Sequence, residues 1–254
     1  MRLAEKISIV TGGGSRIVRA TCERFAKEGS SVVVAEINEA AGQETVDLIT
    51  DAGGISIFLP LDVTDINSVK AMVEHTVKRY GTIDILVNNA AAFPMGSVED
   101  ATEDEWIHVM RTNVIGSANC IKEVTPVFRK SGGGSIINIA SVSGFMAEPE
   151  AVPYNASKGA VMQLTRCSAM DLADDHIRVN GVCPGQIDTA GATQVIIDRG
   201  LDVVEADKER AAEALMKRMG RPEEIASVVL FLASEDASFM TGAHIVVDGG
   251  QTID

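Results

Sequence analysis

Short unbroken apolar runs alternate with helical patterns along almost the whole chain. The runs at 7–10, 32–35, 55–59, 83–87, 135–140, 177–183 and 243–247 read as strands. They lack the polar alternation of a half-exposed strand, so the pattern predicts strands buried on both faces, as in a parallel sheet covered by helices. Between them the apolar spacing predicts helices at 17–27, 40–52, 66–80, 102–129, 153–173 and 222–233. The first turns Thr21, Cys22, Phe25 and Ala26 inward. Gly53-Gly54 and Gly81 close two of the others. Only Gly116 interrupts the longest. Regular alternation of strand and helix implies right-handed crossovers and a doubly wound, mostly parallel α/β sheet of seven strands. No linker rich in Pro, Gly or Ser divides the chain, so one domain over 1–254 is expected. The stretch 190–220 is the least regular, and an excursion of that length reads as one or two helices serving as a substrate lid.

Ligands of open α/β sheets sit at the carboxyl ends of the strands. In this chain the polar and glycine residues fall at those ends. Thr11-Gly12-Gly13-Gly14 follows the first strand and Glu36 closes the second. Asp62 follows the third, Asn88-Asn89-Ala90 the fourth, Ser141 the fifth and Pro184-Gly185 the sixth. A glycine loop between strand and helix lets backbone N–H groups approach a pyrophosphate with no Cβ in the way. A carboxylate about 18 residues further on, Glu36, suits ribose hydroxyls and repels a 2′-phosphate.

Pro153 is a good first-turn residue, so a helix starting near it puts Tyr154 and Lys158 one turn apart on one face. An ammonium beside a phenol favours phenolate and lowers its pKa, which makes Tyr154 a proton carrier for a substrate oxygen. The Ser141 hydroxyl, at the end of the strand before, is placed to steady the same oxygen.

Composition narrows the partners. A formal net charge of −14 argues against nucleic acid, because phosphate binding needs a basic face. No apolar run is long enough to span a bilayer and no secretory signal is visible, so a cytoplasmic protein with no membrane partner is expected. The four cysteines are scattered with no C-x-x-C pair, which suits reduced thiols, and no metal site is expected.

These motifs resemble the short-chain dehydrogenase/reductase family, in its branch of about 250 residues, from about 7 to 250. The resemblance implies a Rossmann fold and hydride transfer between a nicotinamide cofactor, NAD more than NADP, and a secondary alcohol or ketone. It implies Asn113, Ser141, Tyr154 and Lys158 as the catalytic set, with Asn113 anchoring a water that links Lys158 to solvent. It places Gly12, Ser15, Arg16 and Ile17 at the pyrophosphate, and Glu36 at the adenosine ribose. Asp62 and Val63 flank the adenine, Asn89, Ala90, Tyr154 and Lys158 lie at the ribose side, and Pro184, Gly185, Ile187 and Thr189 at the nicotinamide. Relatives pair the helices at 102–129 and 153–173, which implies a homotetramer. The family's loop reads T-G-x-x-x-G-x-G; here Arg16 and Val18 replace its second and third glycines. Both add bulk where backbone and cofactor meet and are expected to crowd the cofactor, unless the charge of Arg16 and a shift of the loop backbone offset this and the cofactor still binds. Phe93, Met95, Phe145 and Met146 are expected to form an apolar substrate wall. The loop departure leaves open a second reading, a non-catalytic binding or assembly protein on the same fold.

Overall fold

The computed structural model describes residues 1–14, 16–189, 193, 196–197, 200 and 202–253. The strands are β1 (Ile7–Thr11), β2 (Ser31–Glu36), β3 (Ile55–Pro60), β4 (Ile85–Asn88), β5 (Gly134–Ile139), β6 (Ile177–Pro184) and β7 (His244–Val247). They form one sheet in the order β3-β2-β1-β4-β5-β6-β7, and every pairing is parallel. The helices are α1 (Arg16–Lys27), α2 (Glu39–Asp51), α3 (Ile66–Tyr80), α4 (Glu103–Val109), α5 (Gly116–Ser131), α6 (Val152–Leu172), α7 (Val203–Glu213) and α8 (Pro222–Ala233). Among the described residues, no helix is long and apolar enough to cross a membrane.

Successive strand residues feed two cores. Val10, Val32, Val34, Ile137 and Val182 pack with Val18, Cys22 and Phe25 of α1 and Ile225, Val229 and Leu230 of α8. Their neighbours Ile9, Val33, Ala35, Ile136 and Val179 pack on the other face with α3, α5 and α6. This is why the strands read as unbroken apolar runs.

Two local details differ from the sequence expectation. The predicted helix at 102–129 is split by a π-helical turn, Met110–Ile115, just ahead of Gly116. A Cβ on Gly116 would lie 2.5 Å from Val63 Cγ2, so the glycine lets this helical region pack against the loop after β3. The second concerns Val18. Its side chain is 1% exposed and belongs to the core shared by α1 and α8.

Val18→Gly therefore removes core volume and adds a helix penalty. It is expected to cost about 2–4 kcal/mol, read as a lower urea midpoint at unchanged slope.

Candidate active site

The strand order reverses between β1 and β4, and the crevice there opens at the carboxyl ends of the sheet. The cleft has a volume of about 960 Å³. Gly12 adopts φ 73°, and a Cβ on it would lie 3.0 Å from Asn89 Nδ2 and 3.1 Å from the Ala90 N and Cα. Only glycine lets the loop approach the end of β4 this closely. Buried Thr11 joins the two strand ends, its hydroxyl accepting from Asn89 N (3.1 Å) and Ala90 N (3.2 Å).

Every predicted cofactor residue within the described set lines this cleft; Ser15 lies outside the described residues. Glu36 is held by three backbone donors, Gly14 N at 2.9 Å, Ile37 N at 2.9 Å and Asn38 N at 3.0 Å. Asp62 accepts from the backbone and hydroxyl of Thr64 at 2.8 Å each, which fixes the turn that carries Val63. Beyond β6, Gly220 N donates to Gln186 O, and Gly185 fits against Asp248 where a Cβ would meet Asp248 Cβ at 2.7 Å. Arg16 does line the cleft, but its guanidinium pairs with Asp188 at 3.1 Å, with both side chains half exposed. Val18 does not line it: the expectation that its side chain crowds the cofactor is corrected, because that side chain is buried in the core.

The other end of the cleft holds Ser141, Tyr154 and Lys158. A buried amide ladder sets their strand and helix. Asn88 Nδ2 donates to Asn138 Oδ1, and Asn138 Nδ2 to Thr165 Oγ1, each at 2.9 Å, which ties β4 to β5 and β5 to α6. Two glycines bring the turn after Ser141 onto α6. A Cβ on Gly144 would lie 2.7 Å from Met162 Sδ and 3.0 Å from the Lys158 carbonyl, and one on Gly159 would lie 3.2 Å from the Gly144 carbonyl. Phe93 packs edge-on against the Tyr154 ring, with centroids 4.2 Å apart.

Asn113 lies beneath the cleft, in the π-turn and 2% exposed. Its Oδ1 accepts from Ala92 N (2.7 Å), and its Nδ2 donates to Ala92 O (3.0 Å) and Ser157 Oγ (2.9 Å). The side chain thus clamps the loop after β4 to α6.

The expected depression of the Tyr154 pKa by Lys158 is not what the structure shows. Burial pushes the phenol above its ordinary value; a polar contact with Ser141 pulls the other way, and Glu148 adds to the rise. The Lys158 ammonium lies 5.5 Å from the ring centroid and donates to the Ile139 carbonyl at 2.8 Å. Burial pushes Lys158 down to about 8, so half of its charge is already lost near that pH. In so enclosed a site, desolvation outweighs a charge turned toward a carbonyl.

Of the expected apolar wall, only Phe93 lines the cleft; Met95, Phe145 and Met146 do not. The structure adds polar groups that the sequence did not single out: Ser143, Glu148, His108 and Arg210. Nothing in E-P-E ranks Glu148 above Glu150, and Arg210 reaches the cleft from α7, over twenty residues past Thr189, the last residue the motifs place at the cofactor.

A family model described as enoyl-(acyl carrier protein) reductase matches residues 14–252. The chain belongs to the short-chain dehydrogenase/reductase family. It is 38% identical to a trans-4-hydroxycyclohexanecarboxylate dehydrogenase of Sinomonas cyclohexanicum, over 99% of this chain and 94% of that one. It is 36% identical to a cyclopentanol dehydrogenase of a Comamonas strain, over 99% and 98%. A solved short-chain dehydrogenase/reductase structure from Burkholderia xenovorans superposes with a TM-score of 0.96 at 37% identity, covering 100% of this chain and 98% of that one. The protein is therefore an oxidoreductase of this family, which implies NAD or NADP. The site fits such a dinucleotide. Gly12 lets the loop lie close against the end of β4, and the first turn of α1, where Arg16 and Ile17 line the cleft, has N–H groups without helical partners.

The buried lysine gives a signed pH dependence. Between about 8 and its ordinary 10.5, the unfolded chain binds a proton that folded Lys158 does not, so this group's contribution to stability rises with pH. The buried thiols Cys22, Cys120 and Cys183, raised from 9.0, and Tyr154, raised from 10.0, act in the opposite sense above those values. The stability difference between wild type and Lys158→Met isolates the lysine. That difference should shift by about 2 kcal/mol in favour of wild type between pH 8 and 10, measured by urea unfolding of cofactor-free protein at each pH.

Proposed function

We propose that the protein transfers hydride reversibly between NAD and a secondary alcohol or its ketone, with small cyclic alcohols the first class to assay. The observation that carries this reading is the meeting of Ser141, Tyr154 and Lys158 in one cleft that the Gly12 loop also lines. A bound nicotinamide supplies the hydride acceptor or donor. Tyr154 exchanges the proton at the substrate oxygen, and the phenol's high pKa keeps it protonated, as ketone reduction requires. Ser141 steadies the oxygen. Lys158 and Asn89 would hold the nicotinamide ribose, and Asn113 fixes the loop carrying Phe93 against α6. The names of the Comamonas and Sinomonas relatives both denote ring alcohols, and the Phe93 ring beside Tyr154 suits such a substrate.

The preference for NAD rests on Glu36. Its carboxylate is locked at the end of β2 by three N–H donors, where it repels a 2′-phosphate. Arg16, the cation most able to blunt that repulsion, is paired with Asp188 instead. We also propose a single domain, with α7 part of a lid, and a homotetramer. Ile107 on α4 and Met170 on α6 are exposed, as are Val246 on the edge strand β7 and nearby Phe239. Closed symmetry is the usual way to bury such surfaces.

Tyr154→Phe should lower turnover of cyclopentanol with NAD by about 10²–10⁴-fold while NADH affinity, followed by fluorescence, stays near wild type. Near-normal turnover by the variant would remove Tyr154 from its role. In the same titrations NADH should bind more tightly than NADPH; the reverse order would show that Glu36 does not select the cofactor. No binding of either would favour the non-catalytic reading. Light scattering of the wild type should show a particle of about four chains, and a particle of 26.8 kDa would exclude the assembly.

A further inference from the structure

The turn after β5 carries a chain of hydroxyl, hydroxyl and carboxylate whose second and third members, Ser143 and Glu148, none of these roles uses. Ser141 Oγ lies 3.0 Å from Ser143 Oγ, and Ser143 Oγ lies 3.1 Å from Glu148 Oε1. The Ser143 N–H donates to Ser141 Oγ at 3.1 Å. Both serines are buried, and Glu148 lines the cleft beside them.

Charge sets the direction of this chain. A carboxylate only accepts, so ionised Glu148 draws the Ser143 proton. The Ser143 oxygen then takes the Ser141 proton, which points away from the reacting oxygen. A protonated Glu148 is a donor, and the order reverses. Glu148 gives to Ser143, Ser143 gives to Ser141, and the Ser141 proton is free for an oxygen beside Tyr154.

We propose that Glu148 is a positioning residue for Ser141: its protonation state decides, through Ser143, whether the Ser141 hydroxyl donates to the substrate oxygen. This rests on the reading of the cleft as an alcohol/ketone site. The surroundings favour a titration above the usual carboxylate range, through burial first and the nearby Glu213 carboxylate after it, against the Ser143 hydrogen bond. Glu213 on α7 and Tyr154 on α6 are the titratable groups acting with Glu148. The cations at this end of the cleft have other partners. Arg210 on α7 donates to Asp207, Gln186 and the Ile187 carbonyl, and Lys158 on α6 to the Ile139 carbonyl. His108 on α4 also lines the cleft and has no hydrogen bond to Glu148 among the described residues.

The consequence has a definite sign. Ketone reduction builds negative charge on the carbonyl oxygen and gains from a second donor. Reductive turnover should therefore rise as pH falls through the Glu148 titration, well below that of Tyr154.

The test is the pH profile of kcat for NADH-dependent reduction of cyclopentanone and 4-oxocyclohexanecarboxylate by wild type, Glu148→Gln and Ser143→Ala. The glutamine amide, unlike the carboxylate, has a donor to offer Ser143 at every pH. Glu148→Gln should lose the acid-side rise and exceed wild-type kcat on the alkaline side of that rise by about 2- to 10-fold, the worth of one neutral hydrogen bond. Ser143→Ala keeps the carboxylate but cuts the chain, and should lose the same rise with KM little changed. A wild type without the rise, or a rise that survives in either variant, would overturn the relay alone. Complete absence of wild-type turnover on both ketones would overturn the relay together with the reading of the cleft.

Discussion

Burial of a parallel sheet on both faces is the constraint from which the rest of this structure follows. Parallel strands need crossovers, the crossovers are helices, and the helices cover both faces. Every strand then ends on the same edge. The residues that cannot be absorbed into either core, Gly12, Glu36, Asn89, Ser141 and Gly185 among them, collect along that edge because no other place remains for them. The reversal of strand order between β1 and β4 opens the crevice, and Thr11 fixes its width by bonding both N–H groups at the end of β4.

Closeness of backbone is the second recurring device. Gly12 against Ala90, Gly144 against Lys158 and Gly116 against Val63 each bring two segments nearer than a Cβ would permit. The Gly144 contact matters most for chemistry, since it seats the Ser141 turn on the helix that carries Tyr154 and Lys158. The buried ladder Asn88–Asn138–Thr165 supports the same juxtaposition from below. These contacts enclose the site, and enclosure sets its charges: the phenol is held neutral, and the lysine is brought close to losing its proton.

The atypical loop shows how one local sequence signal can divide into two unlike outcomes. Arg16 and Val18 are two residues apart at the start of α1, so their side chains leave the helix in different directions. Val18 fills the core beneath α8, and Arg16 reaches across the cleft mouth to Asp188. Substitution of a family glycine is thus a packing event in one case and a surface ion pair in the other.

By itself the sequence determined the doubly wound sheet, the order of its elements and the placing of its polar residues at strand ends. Periodicity and burial are local properties that seven apolar runs state plainly. The family motifs marked Ser141, Tyr154, Lys158 and the glycine loop. The tertiary structure alone decided which way side chains turn and how deeply they are buried. It sent the Lys158 ammonium to the Ile139 carbonyl instead of the phenol, split the long helix with a π-turn that aims Asn113 at Ala92, and put Glu148 and Arg210 into a cleft where an apolar substrate wall was expected. Desolvation and hydrogen-bond direction depend on neighbours distant in the chain, and no spacing of residues along a sequence encodes them.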